Sequence, residues 1–132
     1  MVKLVQERPY DDVEMRVHYC TALIEAASQD ARVFVMDCDL SASMGTGPFR
    51  EAYPHRYLNC GIQEQNACSM AAGMARRGFI PFVHTFGAFA SRRMYDQIFL
   101  SCAYQKAGVK IVGGDPGVSA AVNGGTHMAL ED

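Results

Sequence analysis

The sequence predicts an α/β fold: three layers, with a mostly parallel sheet carrying helices on both faces. Three observations lead there. Short β-branched and aromatic runs such as Arg32 to Leu40 and Phe79 to Phe86 are apolar almost without interruption, as strands covered on both faces must be. Between them lie segments of ten or more residues whose apolar side chains recur every three or four positions, the mark of helices. Strands alternating with such helices connect in parallel.

The elements follow in order. Residues 1–9 are polar with a proline and read as an arm leading into one domain, residues 10–132. Asp11 or Asp12 can cap a helix whose apolar positions are Val13, Val17, Tyr19, Cys20, Leu23, Ile24 and Ala27. Arg32 to Leu40 is the first strand, and Ser41 to Pro48 is a loop by composition. A short helix through Phe49 to Tyr53 precedes Pro54, and Arg56 to Cys60 is the second strand. Gln63 to Arg77 is a helix with small residues along it, closed by Gly78. Phe79 to Phe86 is the third strand, with Pro81 expected where its missing donor does no harm. A turn at Gly87 to Ala90, a helix over Ser91 to Lys106, a fourth strand at Val109 to Val112 and a glycine-rich loop or weak strand at Val118 to Thr126 follow. The last residues, from Ala129, read as the start of a helix, so the domain is expected to be truncated at its carboxyl end.

Composition narrows the function. At 132 residues there is room for one hydrophobic core, and a net charge of -2 with scattered Lys and Arg gives no footprint for nucleic acid or a polybasic membrane anchor. No apolar run reaches the roughly 18 residues of a membrane span. Five cysteines without a C-x-x-C pair indicate neither a disulfide framework nor a zinc site, which suits a reducing cytoplasm. The four histidines lack metal-ligand spacing; His127, in a glycine-rich loop, is the one with room to meet a ligand. Gly45 to Arg50 begins like a dinucleotide fingerprint but has Arg50 at the third glycine, and neither a P-loop nor G-x-S-x-G occurs.

The stretch from Tyr57 to Ala72 draws most interest, because a strand ending at Gly61 and turning straight into a helix places Glu64 at the carboxyl edge of the sheet, where open α/β folds bind ligands. Glu64 is a candidate acid there, although the first turn of a helix also favours glutamate for electrostatic reasons. Phe86 and Phe89 share that edge and are either core or the walls of a flat ligand's pocket. Cys60 and Cys68, with no histidine nearby, read as small buried hydrophobes.

Taken together, Asp39-Leu40-Ser41, Tyr53 to Asn59, Gly61 to Asn66, Ala71 to Ala75, Ile80 to Phe86, Tyr95 to Ile98 and Gly125-Thr126-His127 resemble, in order and spacing, the pyrimidine-binding domain of transketolase-like enzymes. The likeness covers nearly the whole chain and is strongest to transketolases whose carboxyl-terminal half is a separate subunit. It implies thiamine diphosphate bound at a dimer interface, with the aminopyrimidine on this domain and the diphosphate, with magnesium or calcium, on a diphosphate-binding subunit or domain. Homodimer or hetero-oligomer is the implied assembly.

By that resemblance Glu64 bonds the pyrimidine ring nitrogen, favouring the imino tautomer whose exocyclic nitrogen takes a proton from the thiazolium carbon. Phe86 and Phe89 pack on the ring, and Asp39 is the acid near the cofactor and opposing subunit. Arg16, Ser43 and His127 hold the sugar phosphate, a cation, a hydroxyl and an imidazole suited to an oxyanion. Arg92 stands where some members carry tyrosine. The metal and diphosphate motif of the family is absent, so no metal ligand is assigned to this chain. The implied activity is transfer of a two-carbon ketol unit between sugar phosphates, incomplete without the partner. A truncated deoxyxylulose-phosphate synthase and a non-catalytic dimerisation or scaffold fragment are the alternatives.

Overall fold

In the computed structural model residues 11–130 are described, and the expected arm over residues 1–9 lies outside them. Four strands, β1 (Val33–Asp37), β2 (Tyr57–Asn59), β3 (Ile80–Phe86) and β4 (Lys110–Gly114), form one sheet in the order β2-β1-β3-β4. Every pairing is parallel, with Val35 opposite Tyr57 and Phe82, and Phe82 in turn opposite Lys110.

Alternation along the strands builds the layers. Val33 and Val35 of β1 face Cys20, Leu23 and Ala27 of α1 (Met15–Gln29), together with Phe49. Met36 and Val83 point the other way, against Ala67 and Ala71 of α4 (Glu64–Arg76). Small side chains let α4 lie close to β3, and its far side, Cys68 and Ala72, packs on Ala90, Met94 and Cys102. Both faces are therefore covered, as the apolar strands require.

Pro81 is tolerated inside the sheet for a positional reason. Ile80 N donates to Arg32 O, so by alternation the nitrogen of Pro81 faces the β4 side, where pairing begins only at Phe82 and Lys110. No ladder bond is lost.

Several boundaries differ from the sequence expectation. Helix α1 begins at Met15 because Asp11 accepts from Val13 N in a separate turn instead of capping the helix. The expected loop over residues 41–48 contains a short helix, α2 (Ser41–Met44), and the short helix expected over Phe49 to Tyr53 is α3 (Gly47–Ala52), begun two residues earlier. Buried Asp37 organises them: its carboxylate accepts from Leu40 N at 2.7 Å and from Thr46 Oγ1 at 2.7 Å, fixing the chain on both sides of α2. After β3 the chain enters helical geometry at once, with π-helical stretches at Phe89–Arg93 and Ile98–Ala103 either side of α5 (Tyr95–Gln97). Residues 118–126 form no strand, and 3-10 turns occur at Ala121–Asn123 and Gly125–His127. Ala129 is not helical but bridges back, antiparallel, to Gly117.

The connection from β1 to β2 leaves in one direction and those to β3 and β4 in the other. A topological switch point thus lies between the carboxyl ends of β1 and β3, the place where such sheets bind ligands.

Candidate functional site

Asn59 joins the exits of β1 and β2. Its Oδ1 accepts from Asp39 N at 3.1 Å and Gly61 N at 2.9 Å, while Nδ2 donates to Asp39 Oδ1 at 2.9 Å. Asp39 takes a left-handed conformation (φ 62°) and its side chain is exposed at this edge. Gly61 (φ 71°) then reverses the chain so that α4 starts at Glu64.

Glu64 is only 2% exposed. Its carboxylate turns inward onto β3, where Thr85 Oγ1 donates to Oε1 at 3.1 Å. Arg93 Nη1 donates to both oxygens, at 2.9 Å each. The start of α4 adds favourable backbone dipoles to this anion. Arg93 was not foreseen from sequence; its neighbour Arg92 was considered instead. A signal existed, since Phe89 and Arg93 are four apart on a helical run, and the guanidinium carbon does sit 3.8 Å from the Phe89 ring centroid.

Phe86 is buried and Phe89 half-buried, with centroids 6.1 Å apart. His127 joins them edge-on, 5.7 Å from Phe86 and 5.1 Å from Phe89, and bonds Thr126 Oγ1 through Nδ1 at 2.9 Å. Phe89, Arg92, Arg93 and His127 line a cleft of about 430 Å³. Glu64, Ile62, Asn66 and Arg93 line an adjoining one of about 320 Å³.

Arg16 and Ser43 come together elsewhere on the edge. Arg16 Nη1 donates to Ser43 O at 3.0 Å, its Nε pairs with Glu14, and Gly45 leaves room for its stem. Both line a third cleft, about 480 Å³, with Tyr19, Met44 and Asp115. The three residues expected to hold a sugar phosphate are thus divided: Arg16 and Ser43 share one cleft, while His127 lines the one beside Phe89.

His84, in β3, is fully buried. Met36 O can only accept, so Nδ1 carries the proton (3.1 Å) and Nε2 accepts from the Tyr19 hydroxyl at 2.7 Å. Burial holds the imidazole pKa below its ordinary value and raises that of Tyr19. The thiols are free; burial pushes Cys68 up to about 12, and its Sγ lies 3.6 Å from that of Cys102. Among the described residues no group of three or more His, Cys, Asp or Glu could hold a metal ion. No helix there is long and apolar enough to cross a membrane.

The site is a buried carboxylate with two donors beside an aromatic pair. It can bond a planar nitrogen base and shield it from water. Comparison with known proteins gives the frame. The sequence model of the family described as "Transketolase, pyrimidine binding domain" matches residues 11–132. A 6-deoxy-6-sulfo-D-fructose transketolase subunit SqwH from Clostridium sp. (strain MSTE9) is 47% identical over 118 residues, 89% of this chain and 37% of that protein. A putative transketolase C-terminal section from Methanocaldococcus jannaschii is 40% identical over the same shares. Among solved structures, one titled "Split gene transketolase, inactive beta4 tetramer" superposes with a TM-score of 0.74 at 39% identity, covering 88% of this chain and 37% of that one. The chain therefore spans little more than a third of the length of these relatives.

Proposed function

Since the chain belongs to the transketolase pyrimidine-binding-domain family, we propose that it supplies the pyrimidine-facing half of a thiamine-diphosphate site in a transketolase completed by a diphosphate-binding subunit or domain. The observation that carries this reading is the placing of Glu64: a carboxylate 2% exposed, aimed at the end of β3 beside Phe89, at the sheet's switch point. An aminopyrimidine fits such a place, because it offers a flat face to an aromatic ring and a ring nitrogen to an acid.

Thiamine diphosphate, when bound, supplies carbanion chemistry for transfer of a two-carbon ketol unit. This chain's residues do the rest of the pyrimidine-side work. Glu64 shares a proton with the ring nitrogen, Thr85 orients the carboxylate, and Phe86 and Phe89 exclude water from it. Asp39, exposed at the sheet edge, is assigned the part of the acid near the cofactor and the opposing subunit. Arg16 and Ser43 hold the donor's terminal anion, a phosphate or, as the name of the Clostridium relative suggests, a sulfonate. His127 approaches the sugar from the aromatic side. The diphosphate and its magnesium or calcium are assigned to the partner.

Exposed Leu58, Ile62, Phe99, Leu100 and Tyr104 support an assembled state, whether homodimer or hetero-oligomer, by offering apolar surface to be covered. Five free thiols suit a reducing cytoplasm.

The test is complementation: the chain with a diphosphate-binding partner should transfer ketol units from a ketose phosphate to an aldose phosphate. Glu64→Gln should lower that rate at least about a hundredfold, the usual worth of a positioned acid-base group. Activity within about tenfold of wild type would remove the proton-sharing role. Use of pyruvate as the donor would instead favour a deoxyxylulose-phosphate synthase.

A further inference from the structure

Arg93 meets both groups at the heart of the site, and it meets them as a planar nitrogen donor. Nη1 lies 2.9 Å from each oxygen of Glu64, and the guanidinium carbon lies 3.8 Å from the Phe89 centroid. The same side chain lines both the 430 Å³ and the 320 Å³ clefts. A ligand that needs the face of Phe89 and an N–H bond to Glu64 requires the space this guanidinium fills. An aminopyrimidine is such a ligand.

We propose that Arg93 is an internal stand-in for the aminopyrimidine ring, occupying the ring's place in the cofactor-free protein and leaving it before the cofactor docks. The proposal rests on reading Glu64 and Phe89 as pyrimidine-binding residues. Its physical logic lies in the contrast between the partners. The Glu64 side chain is 1% exposed and, left alone, would be a buried charge without a counterion; Arg93 is 40% exposed, so its head returns to water at small cost. Thr85 stays on Oε1 at 3.1 Å and holds the carboxylate in its orientation when the arginine departs. Arg93 is also the last residue of a π-helical stretch, followed by Met94 at φ -111°, an interruption that frees it from a regular helical turn. Departure opens one cleft into the other, which gives a two-ring cofactor a continuous channel.

The probe is 4-amino-5-hydroxymethyl-2-methylpyrimidine, titrated calorimetrically into wild type, Arg93→Ala and Arg93→Lys, with methylguanidinium as competitor. Apparent affinity scales with the fraction of sites left open, so with Arg93 closing about nine sites in ten, Arg93→Ala should bind the aminopyrimidine about tenfold more tightly than wild type. Methylguanidinium should bind Arg93→Ala, compete there with the aminopyrimidine, and leave wild type untouched. Equal or weaker aminopyrimidine binding by Arg93→Ala, or binding without competition, overturns the stand-in while the pyrimidine reading stands. Methylguanidinium binding with no aminopyrimidine binding by any form overturns both. Should Arg93→Ala fail to fold, the Arg93 side-chain 15N signal of wild type, assigned by its loss in Arg93→Lys, decides. It should move on saturation with the aminopyrimidine, and a fixed signal overturns the proposal.

Discussion

Adding one carbon at Gly113 should do more damage than the same change next door. A β-carbon on Gly113 would lie 2.9 Å from Gly87 Cα and 3.3 Å from Ala90 Cβ, whereas apolar carbons rest about 3.5–4.0 Å apart. The obstacle is backbone, so either β4 or the helical run after β3 must retreat by several tenths of an ångström. At Gly114 the added carbon would fall 2.5 Å from Met44 Sδ, a closer approach but to a side chain with three rotatable bonds. We expect Gly113→Ala to cost about 2–3 kcal/mol, the upper part of the range for overpacking, and Gly114→Ala about 1 kcal/mol. For a chain of this size each kcal/mol moves the melting point by roughly 3–6 °C, so Gly113→Ala should melt about 6–18 °C below wild type. Scanning calorimetry and urea titration with an unchanged m-value are the assay. A Gly113→Ala protein within about 0.5 kcal/mol of wild type, or less damaged than Gly114→Ala, would refute the claim that close backbone packing seats the segment bearing Phe89 and Arg93.

Three further predictions follow from the buried polar groups. Burial lowers the His84 pKa below the ordinary 6.5, so the unfolded chain takes up the proton first. Stability should be full above about pH 6.5 and fall as pH drops from there toward the folded value; a His84→Gln variant whose melting point declines as steeply over that window would contradict this. Asp37→Ala strands the Leu40 and Thr46 donors and should cost about 2–4 kcal/mol by chemical denaturation, against a small loss if α2 were held by other contacts. Thr85→Val removes one bond to the Glu64 carboxylate and should cost about 1–2 kcal/mol in stability, together with a larger fall in reconstituted transfer rate; an unchanged rate would mean that the start of α4 suffices to orient the acid.

What sequence could and could not convey is clear from particular elements. The strands were legible because Val33, Val35, Met36 and Val83 are apolar on both faces, and α4 because its alanines repeat at helical spacing before Gly78. Helix α2 was hidden, since its residues are loop formers by composition and Asp37 stabilises its surroundings from outside the segment. The π-helical stretches were hidden too, because an i→i+5 register carries no compositional mark. At the sheet edge, Gly61 marked where α4 begins at Glu64, whereas spacing alone left Phe86 and Phe89 open between core and ligand wall. Arg93 was lost in a pair: adjacent residues on a helix point about 100° apart, and only the four-residue spacing from Phe89 separates Arg93 from Arg92. The separation of His127 from Arg16 and Ser43 depends on where the last loop folds back, through Gly117 and Ala129, a long-range bridge that spacing does not encode.

The central claim is that this chain holds half of a cofactor site. Calorimetric titration of thiamine diphosphate with magnesium into the chain alone, into a diphosphate-binding partner alone and into their mixture tests it most directly. The mixture should bind tightly and in a metal-dependent way, Glu64→Gln should weaken that binding strongly, and this chain alone should show none of comparable strength. Tight, metal-dependent binding by the isolated chain would contradict it.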